Sequence, residues 1–435
     1  MSQATDQAGE VTLDGFNLFS DDVQQCPHAY YALMRDETPV FHVPDTDIYL
    51  VTRHDLVVPI LRDTETFSSA FNTTGVRPSD ELIAQMGEII ATGWPPVQTM
   101  LTVDPPHHTR FRGTVAPYFV PRRMEELRSP LTEIVIRLID ALPEGEEFDV
   151  VTALNVPVPI EAIAHVLNVP SEKMADFKRW SDDFIAPIGT DISDERRLEA
   201  LRGTVEFQHY FADQLEQRRK IPRGDLMSDL VTARIEADEG DEGVGDDGKR
   251  ELTMPEMLSI LSQLLVAGNE TTTKALTEGI RLLADHPEVW AKLKADPAGY
   301  ASNVSEEVLR LSTPTQGMFR IVTRDTEIDG FPVPAGSRLV VVYSGANRDP
   351  SVFPEPDEFD PDREGLMKAH LAFGKGIHFC LGAPLSRLEM NIVFEQLGRR
   401  VRSISLAESN DFRYFPSFML RGLMKLDVSI ERDPA

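Results

Sequence analysis

Phe373-Gly374-Lys375-Gly376-Ile377-His378-Phe379-Cys380-Leu381-Gly382 is the stretch on which the reading of this chain turns. Two glycines in a short loop let the backbone take conformations that a Cβ would forbid. Cys380 follows at once, and the apolar periodicity from Leu381 to about Leu397 predicts a helix beginning at the cysteine. A sulfur at a helix N-terminus meets unpaired backbone N–H groups and the positive end of the dipole, which favour thiolate over thiol. A thiolate held by a glycine loop suits a nucleophile, a zinc ligand or an axial ligand to haem iron.

Zinc sites normally need four N or S ligands, or three plus water, at recognisable spacing. The only other cysteine is Cys26, with no ligand cluster around it. A cysteine nucleophile wants a histidine within hydrogen-bond reach. His378 is near in sequence, but an i, i+2 pair in extended backbone points to opposite sides. A buried structural cysteine accounts for Cys380 and leaves the glycine loop unexplained.

The pattern F-G-x-G-x-H-x-C-x-G, continued by Ala383, Arg387 and Glu389, resembles the haem-binding loop of the cytochrome P450 monooxygenases, specifically the bacterial class I type. The resemblance implies haem b with Cys380 as proximal thiolate on the iron, pushing electron density that favours O–O cleavage. It implies that Phe373, Gly374 and Gly382 frame the cofactor and that His378 adds a contact to it.

The chain has 435 residues with 41% hydrophobic content, enough for a large core. That length suggests two or three domains, yet no stretch has linker composition, so one haem domain over 1–435 is expected. Within it, 1–38 reads as a polar arm and first helix. Residues 236–250 (EADEGDEGVGDDGKR) read as a solvated acidic loop between two helices. A formal charge of −28 excludes nucleic acid as a partner. The N-terminus has neither the basic nor the apolar region of a signal peptide, and no run is long enough to span a bilayer. Two distant cysteines fit a reducing compartment. A cytoplasmic monomer without membrane anchor is expected.

Taken in order, a short helix is predicted around Pro27 to Arg35, and a hairpin joins Val40-Phe41-His42 to Ile48-Tyr49-Leu50-Val51. Helical spacing runs from Asp55 to Leu61. Phe67 to Thr102, holding Trp94-Pro95-Pro96, reads as one long irregular section; the resemblance lays it over the haem, where it helps select substrate. Asp104-Pro105-Pro106 precedes a helix start. On that helix His108 and Arg112 share a face at i, i+4. Alone they describe a solvated basic face; the resemblance makes them a pair that binds a haem propionate. Arg110, Arg122 and Arg123 add positive charge on the side where the family's electron donor docks. Pro121 to about Arg219 reads as packing helices, and Trp180 to Tyr210 corresponds to the family's mobile lid.

Thr253-Met254-Pro255-Glu256 is a capping-box pattern. It opens a helix predicted to reach about Ala284, some 45 Å at 1.5 Å per residue. At its centre stands Ala267-Gly268-Asn269-Glu270-Thr271-Thr272. Gly268 weakens the interior by about 1 kcal/mol and the threonines compete for carbonyls, so a local opening of the helix is expected. Glu270 beside Thr271 reads equally as a satisfied polar pair. The resemblance instead makes this the oxygen-activating groove, with Ala267 against the haem, Glu270 feeding protons through water and Thr271 holding the hydrogen-bond network around dioxygen. The family more often has Asp at position 270.

Glu307-Val308-Leu309-Arg310 is an i, i+3 pair that means little alone. With Arg363 in the Asn347 to Arg363 segment, it resembles the family's buried ionic triad, a structural feature. Strands are predicted over Phe319 to Ile328 and Arg338 to Tyr343, and Arg320 matches a second propionate arginine. The resemblance assigns substrate contacts to Trp94, Gln263, Val266, Gln316, Met318 and Phe418. Apolar pockets with few polar anchors suit compact hydrophobic molecules such as terpenoids or steroids. No cationic anchor for a fatty-acid carboxylate is evident, although Arg77 lies in the long section and could serve.

The fold implied is mainly α with a smaller β-rich lobe, haem lying between the long central (I) helix and the cysteine-ligand (L) helix. The activity implied is O2 activation with electrons from a ferredoxin and its NAD(P)H-dependent reductase, ending in hydroxylation or epoxidation. Alternatives are a fatty-acid hydroxylase, a peroxide-driven peroxygenase, against which an intact Glu270-Thr271 argues, and a non-catalytic haem sensor or carrier.

Overall fold

The computed structural model describes residues 11–71, 79–188, 190 and 192–433, which are mainly helical with small β-sheets. Residues 1–10 of the polar arm and Arg77 lie outside the described residues.

The longest helix, Met254–Asp285, has 32 residues and begins at the capping box: Thr253 Oγ1 accepts from Glu256 N and the Glu256 carboxylate from Thr253 N. Its length is about 48 Å. Leu258, Leu261, Leu265, Leu276 and Leu283 are buried along it, because helices Pro157–Val166, Met174–Ile185, Pro297–Ser312 and Ala383–Arg400 pack around it. The expected opening at its centre is absent: the helix runs through 267–272 unbroken, and the Thr271 hydroxyl donates to the Ala267 carbonyl at 3.0 Å. Gly268 serves packing instead. A Cβ there would stand 3.2 Å from Ile163 Cγ1, so the glycine lets helix Pro157–Val166 approach closely.

The larger sheet has the order Val40–His42, Ile48–Val51, Arg338–Val342, Gly317–Val322, Phe67–Ser68. Ile48–Val51 and Arg338–Val342 pair in parallel; every other neighbour is antiparallel. Register Leu339↔Arg320 and Val341↔Met318 places Arg320 and Met318 two residues apart on one strand, hence on one face.

Three expectations are corrected. Phe67 to Thr102 is not irregular throughout. It contains the strand Phe67–Ser68 and the helix Asp80–Ile90, capped by Ser79, whose Oγ accepts from Leu82 N at 3.2 Å. The acidic stretch is the largely exposed turn of a hairpin, Arg234–Glu236 against Lys249–Glu251, so strands flank it and not helices. Its carboxylates have cationic partners: Arg250 to Asp241 at 2.6 Å, Arg234 to Asp247 at 2.8 Å and Arg110 to Asp238 at 2.7 Å. The helix after the cysteine, Ala383–Arg400, starts three residues beyond Cys380 rather than at it.

The Trp180 to Tyr210 segment falls on helices Met174–Ile185 and Asp194–Lys220. Trp180 is buried, its ring 5.8 Å from Phe207 and 5.3 Å from Tyr210. Among the described residues no helix is long and apolar enough to cross a membrane.

Candidate active site

The cysteine loop is shaped by its glycines. Gly374 and Gly376 have φ of 66° and 73°, in the left-handed region. A Cβ on Gly376 would also come 2.4 Å from the Leu61 carbonyl oxygen. The Cys380 N–H donates to the Phe373 carbonyl at 2.9 Å and closes the loop. Beneath it, Arg387 lies 4.6 Å over the Phe373 ring and binds Glu306 at 2.6 Å, and Glu306 is bonded to His370 at 2.8 Å.

Burial pushes the Cys380 thiol up, against the pull of the Gly382 and Ala383 N–H groups and of the Arg112 and Arg387 charges. The helix end alone therefore does not make a free thiolate, because desolvation outweighs it. A coordinated metal cation displaces that proton outright.

Next to the cysteine loop stand two imidazoles. His108 is 3% exposed and its ring lies 4.3 Å from that of His378. Both nitrogens of His108 and Nε2 of His378 are buried without a hydrogen-bond partner. Burial, with His108, Arg320 and Arg112 adding to it, drives His378 down to about 3; burial and then Arg112 lower His108, Asp104 opposing. Arg112 donates to the Phe379 carbonyl at 2.7 Å, and Arg320, also buried, to its neighbour Phe319's carbonyl at 2.7 Å. Buried polar groups without partners cost about 1–3 kcal/mol each. Here they surround a place that calls for an anionic acceptor.

At the centre of the long helix Ala267 is exposed and Thr271 half-buried, whereas residues 272–280 are all buried. An uncovered helix centre, a buried thiol and orphaned imidazoles beside two arginines fit a flat apolar group carrying carboxylates and a metal. Haem b is such a group.

Glu270, one residue from Thr271, pairs with Lys274. Lys274 is 5% exposed, and its ammonium lies 4.6 Å over the Phe415 ring. Gly422 makes room for it, since a Cβ there would meet Lys274 Cγ at 2.3 Å. A cavity of about 450 Å³ adjoins Glu270, lined by Phe19, Asp182, Ile185, Ile192 and Phe415 among others.

The six substrate residues divide. Val266, Met318 and Phe418 pack on one apolar cluster that includes Phe71, Ile185 and Phe319. Trp94 is held elsewhere: its N–H donates to Gln208 at 3.0 Å and its ring meets His209. Gln263 donates to Thr99 and Ser259, leaving Oε1 unpartnered. Gln316 is buried, its amide NH2 committed to the Ser312 and Thr313 carbonyls, so that Oε1 alone is free. Glu307, Arg310 and Arg363 do meet: Arg310 grips both Glu307 oxygens at 2.6 and 2.8 Å, and Arg363 adds a third contact at 3.0 Å.

Sequence reasoning missed Lys274, although its i, i+4 spacing from Glu270 is a recognised pairing signal. It missed the Glu306–His370–Arg387 cluster, which no local spacing reveals. Glu389 is buried, and burial, with Thr272 opposing, holds its carboxyl well above the usual range, hence neutral.

A model of the family described as "Cytochrome P450" matches residues 160–404. The cytochrome P450 monooxygenase PikC of Streptomyces venezuelae is 35% identical over 414 residues, 93% of this chain and 91% of its own. Linalool 8-monooxygenase of Pseudomonas putida is 30% identical, covering 93% and 96%. The solved structure of CYP109Q5 from Chondromyces apiculatus superposes with a TM-score of 0.81 at 35% identity, over 98% of this chain and all of that one.

Proposed function

The chain belongs to the cytochrome P450 family, as a haem b monooxygenase, and from that premise we propose that it hydroxylates or epoxidises a compact hydrophobic molecule of terpenoid or steroid size, using electrons from a ferredoxin and its NAD(P)H-dependent reductase. The observation that carries the site reading is the cluster of orphaned imidazole nitrogens beside Cys380.

Cys380 would be the proximal ligand, its loop fixed by Gly374, Gly376 and the Phe373 carbonyl. His108, Arg112, Arg320 and His378 would hold the propionates. When bound, the haem supplies reductive activation of dioxygen and insertion of one oxygen atom into the substrate. The Thr271 hydroxyl, anchored on the Ala267 carbonyl, keeps a lone pair free to receive a proton and is poised to pass one on. Glu270 would collect protons from the adjoining cavity, with Lys274 holding the carboxylate in place. The triad of Glu307, Arg310 and Arg363 would be structural, as each member is at most 10% exposed.

The substrate class rests on the apolar cluster around Val266, Met318 and Phe418 and on the similarity to an enzyme named for linalool, a terpene alcohol. For the donor, Arg122 and Arg123 offer two guanidiniums against one carboxylate, Glu126, whereas Arg110 is committed to Asp238. A reducing, cytoplasmic setting fits the two free cysteines. An absorbance titration of the ferric holoenzyme with terpenoids, steroids and fatty acids tests this reading. A low- to high-spin shift with one of the first two classes is expected. A response confined to fatty acids, or to none of the three, would overturn the substrate assignment.

A further inference from the structure

Away from the haem site, a second cavity of about 110 Å³ lies where five parts of the chain meet. His28 comes from helix Pro27–Glu37, Glu278 and Arg281 from the last third of the long helix, and Ser312 from the end of Pro297–Ser312. Arg348 and the Tyr414/Arg421 turn complete the lining.

Its charges do not balance. Three guanidiniums face one lining carboxylate, Glu278, which Arg281 takes at 2.7 Å. The other acids that reach these arginines point outward: Asp285 on Arg281 is 43% exposed and Asp357 on Arg348 is 77% exposed. Arg421 bonds the Gln24 carbonyl at 3.0 Å and stacks 3.4 Å from the Tyr414 ring centroid, and among the described residues it forms no ion pair. The stacking fixes the plane of its fork.

Three lining groups also hold buried polar atoms without a partner: Arg348 Nε, His28 Nδ1 and Ser312 Oγ. Burial, with Arg348, Arg421 and Arg35 adding to it, keeps His28 neutral. The cavity has room for about three waters, but water does not neutralise Arg421, the lining guanidinium without an ion pair among the described residues, and an unpaired charge withdrawn from solvent is costly. Planar guanidiniums match the geometry of an oxyanion, and their charge-assisted bonds are the strong ones. In a chain with 71 acidic and 43 basic residues, such a concentration of arginine is unlike its surroundings.

We propose that this cavity is a binding site for one small oxyanion of the phosphate or sulfate class, held by Arg281, Arg348 and Arg421 with His28 and Ser312 as hydrogen-bond partners. The anion ties helix Pro27–Glu37 and the Tyr414/Arg421 turn to the long helix, so its binding stabilises the fold.

The test is calorimetric titration of the holoenzyme with inorganic phosphate and, separately, sulfate, chloride holding ionic strength constant, together with thermal melting followed at 222 nm. Saturable binding and a rise in Tm that saturates with it are expected. In Arg421→Gln the affinity falls about tenfold, the loss of one charge-assisted hydrogen bond. Should that variant not fold, Ser312→Ala, which removes a hydroxyl having no partner, is expected to weaken binding with the haem spectrum unchanged. No saturable binding by the wild type, or equal affinity in a folded variant, would mean that the cavity holds water only and overturns the proposal.

Discussion

At the scale of single residues, function rests on side chains whose neighbours leave something unsatisfied. Glu270 and Thr271 stand out as a carboxylate beside a hydroxyl in an apolar helix centre, and only the family resemblance gives the pair a catalytic reading. Lys274 was not read, since a lysine four residues on looks like a surface pair until its burial and its contact with Phe415 are seen. Replacing Thr271 with Ala removes the hydroxyl and keeps the helix. Product formed per NADH consumed is expected to fall by about tenfold or more, because a positioned proton-transfer group is lost, while NADH consumption continues. Unchanged coupling, measured by product and cofactor assays together, would place the proton path elsewhere.

Helices and strands were legible in proportion to their end signals. The long helix announced itself through Thr253 and Glu256, whereas Asp80–Ile90 was passed over although Ser79 and two acids mark its start. Proline and glycine nearby gave the section the look of a loop. The strands that flank the acidic turn went unread because net charge conceals pairing: Arg234 and Arg250, beside and inside the run, each bind one of its acids.

Asp225 shows what such pairing is worth. It caps helix Leu226–Thr232 and binds Arg218, whose side chain is fully buried. Burial raises its carboxyl, but the bonds from Ser228 and Arg218 prevail and bring it down to about 2 from 3.8. A depressed carboxylate stabilises the fold above its unfolded value, and that share is lost as pH falls from 3.8 towards 2. Asp225→Asn is expected to cost about 3 kcal/mol at pH 7, because Arg218 is left buried and uncompensated. It should also flatten the stability–pH slope at the acid end. Urea unfolding at several pH values measures both, and an unchanged midpoint would show that Arg218 finds another partner.

Across the whole molecule, local signals give out. The parallel pairing of Ile48–Val51 with Arg338–Val342 joins segments almost 300 residues apart, which no spacing reveals. The division of the substrate residues, with Trp94 on Gln208 and His209 and Val266, Met318 and Phe418 in another cluster, is likewise a product of topology. What the sequence did carry was the cysteine loop, since the left-handed backbone of Gly374 and Gly376 is a local property, although the neighbours that crowd them, Tyr343 and the Leu61 carbonyl, are distant in sequence.

The proposed chemistry depends on that loop delivering Cys380 to the haem iron. The most direct measurement is the absorbance spectrum of the reduced holoenzyme under carbon monoxide, for the wild type and for Cys380→His. The wild type is predicted to show the strongly red-shifted Soret band of a thiolate-ligated haem, and the variant to bind haem without that shift. A wild type lacking the band, or a variant retaining it, would contradict the assignment of Cys380 and with it the mechanism built on it.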